Sequence, residues 1–225
     1  MTHMKALSAP PPPAVAADAS ARERLLATTE MLIYNGGIHA TGIDAIVRAS
    51  GAARKSVYGN FASKSELVAA ALIQRDARWM KWFEDGVRAA GDTPQIQLLA
   101  MFDLLRGWFA SDGFHGCAFL NAAGEIGAPD DPIRRVAQMH KARLLSFIET
   151  VCVAHCSTYS TACSSSCGPA PDPRTLARQW LILIDGAIAV ALVGGHAHAA
   201  LDARAVAEHL LHATPASSLA PGVHL

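Results

Sequence analysis

The side chains best suited to chemistry fall within one short stretch. Arg54, Lys55 and Ser56 stand in succession, Tyr58 and Asn60 follow, and Lys64 comes one helical turn later. Every one of them donates hydrogen bonds. Arginine and lysine supply the positive charge that phosphate contacts require, and either donates to O6 and N7 of guanine. At the N-terminal end of a short helix, with Val57 turned inward, Arg54, Lys55 and Ser56 are positioned for base edges in a major groove. Tyr58 and Lys64 then reach phosphates, Lys64 from the positively polarised start of the following helix, and Thr41 offers a further hydroxyl. Lys55 or Arg54 is the expected guanine contact.

The whole-chain charge is zero, with 19 basic and 19 acidic residues. Its distribution is uneven. Residues 21–64 hold Arg22, Arg24, Arg48, Arg54, Lys55 and Lys64 against Glu23, Glu30 and Asp44, a net of +3, which leaves −3 for everything after Lys64. A basic head is attached to an acidic body, and such asymmetry bears on polyanion binding rather than on fold.

The elements that must hold the donor cluster are helical. Leu25, Leu26, Thr29, Leu32 and Ile33 recur at helical spacing and Asn35-Gly36-Gly37 stops that helix. Thr41-Gly42-Ile43-Asp44 reads as a short-armed capping box opening a second helix, whose apolar face is Ile43, Ile46 and Val47. Gly51 breaks it with a residue able to take positive φ, and Arg54 to Asn60 form a third. Ser63-Lys64-Ser65-Glu66 is a capping box that launches a long helix through Leu67, Leu72, Trp79 and Phe83. Two short helices joined by a glycine turn and framed by longer ones make a helix-turn-helix. Further helices are expected near 94–109, 117–126, 131–152, 173–193 and 202–212, with no strand-like alternation and no repeat. The fold expected is all-α, a three-helix head followed by a bundle of about six helices. Residues 1–19, rich in proline and alanine, read as a disordered tail outside the fold.

The run from Gly42 through Gly51, Tyr58-Gly59-Asn60-Phe61 and Lys64-Ser65-Glu66-Leu67 resembles the DNA-binding signature of the TetR family. The turn glycine, the Tyr-x-x-Phe and the Lys-x-x-Leu fall at the family's spacing. The resemblance implies a one-component transcriptional regulator, generally a repressor, that reads a pseudo-palindromic operator as a homodimer and lets go on binding a small-molecule effector. It assigns residues 20–66 to DNA binding and 67–225 to sensing and dimerisation. Ala53 departs from the pattern, which often has a capping Ser or Thr there, and Gly59 weakens the recognition helix by up to about 1 kcal/mol relative to alanine. Residues 116–125, with Pro132, Arg134, His140 and Lys141, resemble the body of one subset of these regulators.

In the body, Trp180 to Val193 is apolar almost all round and carries Gly186, Ala187, Ala189 and Ala191, small residues that permit close helix approach at a dimer surface. Asp185, within it, either caps or touches a ligand, or is paired inside the core or interface. Asn121 and Glu125, four apart on one helix face, can converge on a cavity lined by Trp79, Phe83, Phe102, Trp108 and Phe147. The alternative is that the aromatics are ordinary core and the polar pair anchors helix packing. Cys152, Cys156, Cys163 and Cys167, with His155 among them, stand in a Ser/Thr-rich segment read as an inserted loop. They are weak candidates for a metal or redox site, which makes a thiol- or metal-responsive regulator the alternative to a small-molecule sensor. His196, His198, His209 and His212 read as surface residues. No phosphate-cradling glycine loop, nucleophile elbow or His-Glu-x-x-His is present, so neither enzyme nor cofactor is expected. The N-terminus has no apolar h-region, and the apolar run 181–195, broken by Asp185, is shorter than a bilayer span, so a cytoplasmic protein is expected.

Overall fold

A computed structural model describes residues 9–13, 15, 16, 18–162 and 172–212. Its order is α1 (Ala21–Gly36), α2 (Ile43–Ser50), α3 (Arg54–Asn60), α4 (Lys64–Ala89), α5 (Pro94–Phe109), α6 (Ala118–Glu125), α7 (Pro132–Ala162), α8 (Pro173–Gly194) and α9 (Ala199–His212), with no strand among the described residues. The all-α architecture, a three-helix head and six helices behind it, is the one expected.

Two apolar clusters hold it together. The smaller joins Leu25 and Leu26 of α1 to Ile46 of α2, Val57 of α3, Phe61, and Leu67 and Ala71 of α4. The larger fills the body, where Phe83, Phe102 and Trp180 are fully buried. Phe102 and Trp180 meet at 5.7 Å, and the Trp180 indole Nε1 donates to the Leu98 carbonyl at 3.2 Å, so the largest side chain leaves no polar atom unpaired. α4 serves both clusters: Leu67 and Ala71 face the head, Val68, Ala69 and Leu72 the body.

Local signals explain most boundaries, with three corrections. α1 opens on a reciprocal capping box of Ser20 and Glu23, which was not among the expected caps. Thr41 does not cap α2; Gly42 occupies that position without a side-chain bond, and the Thr41 hydroxyl donates to the Gly37 carbonyl at 2.7 Å. At α4, Ser63 accepts from the Glu66 amide as expected, but the Glu66 carboxylate accepts from Ala62 N rather than from Ser63.

α7 is longer than expected. It continues to Ala162, so Cys152, His155 and Cys156 are helical rather than part of a loop. The physical reason is that Leu144, Ile148, Val151, Cys152 and Cys156 keep a buried face at three- and four-residue steps. The Thr150 and Ser157 hydroxyls donate to carbonyls four residues back, which lets them sit inside a helix. Cys163 and Cys167 lie outside the described residues.

α8, with 22 residues, is long and apolar enough to cross a bilayer by length and composition, more than the sequence run suggested. One face, with Ala177, Trp180, Ile184 and Ile188, belongs to the core, while Ile182, Val190 and Val193 face outward at 70%, 58% and 88% exposure. Asp185 pairs with Lys141 across α7 and α8. Part of the expected tail rests on the body: residues 9–13 line a groove against α1, α4 and α5.

Candidate nucleic-acid interface

The turn between α2 and α3 is set by Gly51, at φ +62°, the left-handed conformation that glycine takes without steric cost. Ser50 secures it from before: its Oγ accepts from Ala52 N at 3.3 Å and donates to Val47 O at 3.2 Å, while Arg24 Nε donates to Ser50 O at 3.2 Å. α3 is then held by one inward side chain, Val57, against Leu25, Leu26 and Ile46. Its remaining surface is open. Arg54, Lys55, Tyr58 and Asn60 are exposed and Ser56 is half-buried.

Five of the seven expected donors therefore gather on α3. Arg54 forms an ion pair with Asp44 of α2, both side chains in solvent, and such a pair contributes under about 1 kcal/mol. Asn60 turns its amide back to the Ser56 carbonyl at 2.7 Å. The other two donors are directed elsewhere. Thr41 is buried with its hydroxyl on Gly37 O, and the Lys64 ammonium donates to Ile38 O at 2.6 Å. Both brace the 37–41 loop by giving the Gly37 and Ile38 carbonyls, just past the end of α1, a donor.

That loop also joins head to body. The Glu125 carboxylate at the end of α6 accepts from Ile38 N at 2.9 Å and His39 N at 2.8 Å, and Gly37, at φ +87°, lets it approach; a Cβ there would sit 3.2 Å from Glu125 Oε1. Burial pushes the Glu125 carboxyl up, but these bonds outweigh it and hold it below its usual value. Asn121 donates to His115 O at 2.9 Å. On the other side of α1, Glu30 is buried between Arg75 and Arg78 of α4. Arg75 also stacks over the Tyr34 ring at 3.6 Å, and the Tyr34 hydroxyl donates to Gly116 O at 2.9 Å while accepting from His115 N at 3.0 Å. These junction residues, Tyr34, Glu30 and Arg75, were not singled out from sequence; their partners lie 41 to 82 positions away, and no local pattern marks them.

Between α1, α4 and α5 runs a groove of about 300 Å³, floored by Trp79 and Trp108, edged by Tyr34, Arg75 and Arg78, and bordered by residues 9–13. Of the expected cavity residues, Trp79 and Trp108 line this groove, at 5.8 Å from each other. Asn121 and Glu125 border a second, smaller cavity on the far side of Arg75. Phe83 stacks behind Trp79 at 4.9 Å and Phe147 packs on Phe83 at 6.1 Å, while Phe102 is deep in the core.

Of the cysteines first singled out, Cys152 and Cys156 are poor ligands and nucleophiles in this setting. Burial pushes the Cys152 thiol up to about 12 and raises that of Cys156, so both remain protonated at neutral pH. Among the described residues no group of three or more His, Cys, Asp or Glu is arranged to hold a metal ion.

Residues 25–71 match the family model described as bacterial regulatory proteins, tetR family. An uncharacterised HTH-type transcriptional regulator from the lacX 3′ region of Lactococcus lactis subsp. lactis is 29% identical over 119 residues, 51% of this chain; the match spans 59% of that relative's length. Among solved structures, a TetR-family transcriptional regulator from Streptomyces coelicolor is similar with a TM-score of 0.73 and 27% identity, covering 85% of this chain and 88% of that one. A TetR transcriptional regulator, described as putative, from Streptomyces avermitilis gives 0.67 and 29%, covering 84% and 98%.

Proposed function

Since the chain belongs to the TetR family of transcriptional regulators, we propose that it is a cytoplasmic, homodimeric repressor that grips a pseudo-palindromic operator through α3 and is released by a small-molecule effector. The observation that carries this reading is the outward row of Arg54, Lys55 and Tyr58 on a short helix pinned from within by Val57. Lys55 or Arg54 donates to guanine and Tyr58 to phosphate; Arg54 gives up only a solvent-exposed pair with Asp44 to do so. Ser56 and Asn60 complete the contact surface, and α4 presents its N-terminal amides to the backbone, while Lys64 stays on the Ile38 carbonyl and braces the loop behind them.

In this scheme residues 20–66 read DNA and the rest of the chain senses and dimerises. A second copy covers the outer face of α8, where Ile182, Val190 and Val193 are exposed with Gly186 and Ala189 between them. Two-fold pairing places the α3 helices one turn of DNA apart, about 34–36 Å. The effector occupies the groove over Trp79 and Trp108, whose volume of about 300 Å³ is at the lower end for small-molecule sites, roughly 300–1,000 Å³. Because that groove lies between α1 of the head and α4 and α5 of the body, its occupant favours one head position over another and so lowers operator affinity.

Selection of bound fragments from the source genome with purified protein tests the reading. Wild type should recover a short pseudo-palindrome with affinity that falls steeply between two salt concentrations, and Lys55→Ala with Tyr58→Ala should not. Failure of the wild type to enrich any sequence removes the assignment of α3.

A further inference from the structure

Cys117, directly before α6, is used by neither α3 nor the effector groove, yet its surroundings are those of an activated nucleophile. The buried thiol and the His140 ring of α7 line one small cavity. His140 Nδ1 is 2.7 Å from Asp76 of α4, and the other Asp76 oxygen accepts from Arg143 at 2.9 Å. Nucleophile, base and orienting carboxylate stand in line. The imidazole is clamped as well, stacked on Phe119 at 3.7 Å and edge-on to Trp79 at 5.3 Å.

The charged and titratable groups around the sulfur are His140 and Lys141 from α7, Tyr34 from α1 and Arg75 from α4. Burial pushes the Cys117 thiol up, but the Lys141 charge and the His140 hydrogen bond outweigh it and bring it down to about 7. Beside the sulfur is a cavity of about 10 Å³, whose walls Arg75, Trp79 and Trp108 also line the outer groove. That is room for about one water molecule. A bulky alkylating agent does not fit, whereas hydrogen peroxide, one oxygen atom larger than water, needs only a small opening of these walls.

We propose that Cys117 is a peroxide-reactive site in which His140 supplies the proton, and that its oxidation strains the join between head and body. The thiolate sulfur attacks one peroxide oxygen; the S–O bond forms as the O–O bond breaks. The leaving hydroxide takes the proton of the His140 imidazolium and departs as water, so sulfur is oxidised by two electrons to the sulfenic acid and the peroxide is reduced by two. The added oxygen has little space. Gly116, the preceding residue, is at φ +78° with its α-carbon hard against Leu192, where a Cβ would lie 2.6 Å from a side-chain carbon. Its carbonyl and the His115 amide are both held by the Tyr34 hydroxyl, so displacement of this segment passes directly to α1. The consequence for operator release rests on the regulator reading; the oxidation does not.

The test treats reduced full-length protein with hydrogen peroxide, removes the oxidant, unfolds the protein in urea containing dimedone so that the probe reaches the buried sulfur, and locates the sulfenic-acid adduct by peptide mass. The expected adduct is on Cys117 and not on Cys152, with a rate that rises with pH about a midpoint near 7. Asp76→Asn, which keeps thiol and ring, should slow the reaction at pH 7 at least tenfold. An absent Cys117 adduct, or a wild-type profile with the ordinary thiol midpoint of about 8.5, overturns the proposal without reliance on any variant's folding. Operator retention is measured on the same samples. Cys117 labelled with retention unchanged overturns the coupling to α1, whereas no retention by reduced wild type condemns the regulator reading and leaves the adduct result standing.

Discussion

Replacing Glu125 with alanine removes the two backbone hydrogen bonds that tie the 37–41 loop to α6, at 2.9 and 2.8 Å, together with the exposed contact from His39 Nδ1 at 3.1 Å. The two amides fare differently once the carboxylate is gone. His39 is exposed and its N–H recovers water, whereas Ile38 is buried and its N–H is left unpaired, at a cost of about 1–3 kcal/mol. With about 1 kcal/mol for the His39 bond, the loss is about 2–4 kcal/mol. For a urea m-value of about 3 kcal/mol/M, that lowers the unfolding midpoint by about 1 M at unchanged slope. The effect also depends on pH. Glu125 titrates below the ordinary glutamate value of 4.5 in the folded protein, so its contribution is fully present above that pH and is lost as pH falls through the depressed folded value. The gap between wild type and Glu125→Ala should therefore be widest near neutrality and close in acid. A midpoint shift under about 0.2 M, or a gap that does not narrow in acid, refutes the assignment of Glu125 as the tie.

Two further substitutions test the turn and the outer face of α8. Gly51→Ala meets no neighbouring atom, so its cost comes from the left-handed backbone alone; about 1–2 kcal/mol is expected in chemical denaturation, and a neutral result means that the turn relaxes. Ile182→Glu with Val193→Glu alters side chains 70% and 88% exposed and should leave helicity intact while converting a dimer to a monomer in sedimentation; a variant that still dimerises excludes this face.

The head was readable because its signals are local. Gly51 needs only its own φ, and Val57 and Tyr58 lie within one short helix that ends at Phe61. Thr41 misled because a hydroxyl followed three residues later by Asp44 has the form of a cap, yet Asp44 pairs with Arg54 across the turn and the hydroxyl reaches back to Gly37. The loop expected at Cys152 and Cys156 fails because apolar periodicity outlasts a Ser/Thr-rich composition. Cys117, His140 and Asp76 were illegible for another reason: they come from three helical regions, with 64 positions between Asp76 and His140, and only the packing of α4 against α7 unites them.

The double allegiance of α4 has a consequence for how this protein can be divided. A fragment ending at residue 66 leaves out Leu67 and Ala71, which close one wall of the head's apolar cluster, so Leu25, Leu26 and Ile46 would meet water. At about 1.5–3 kcal/mol for each large side chain uncovered, so small a unit has little stability to spare. Carrying the fragment on to Leu72 restores that wall but exposes Val68 and Leu72, which belong to the body. The seam between the two parts runs lengthwise along one helix and not across the chain, so neither can be transplanted without a strip of the other.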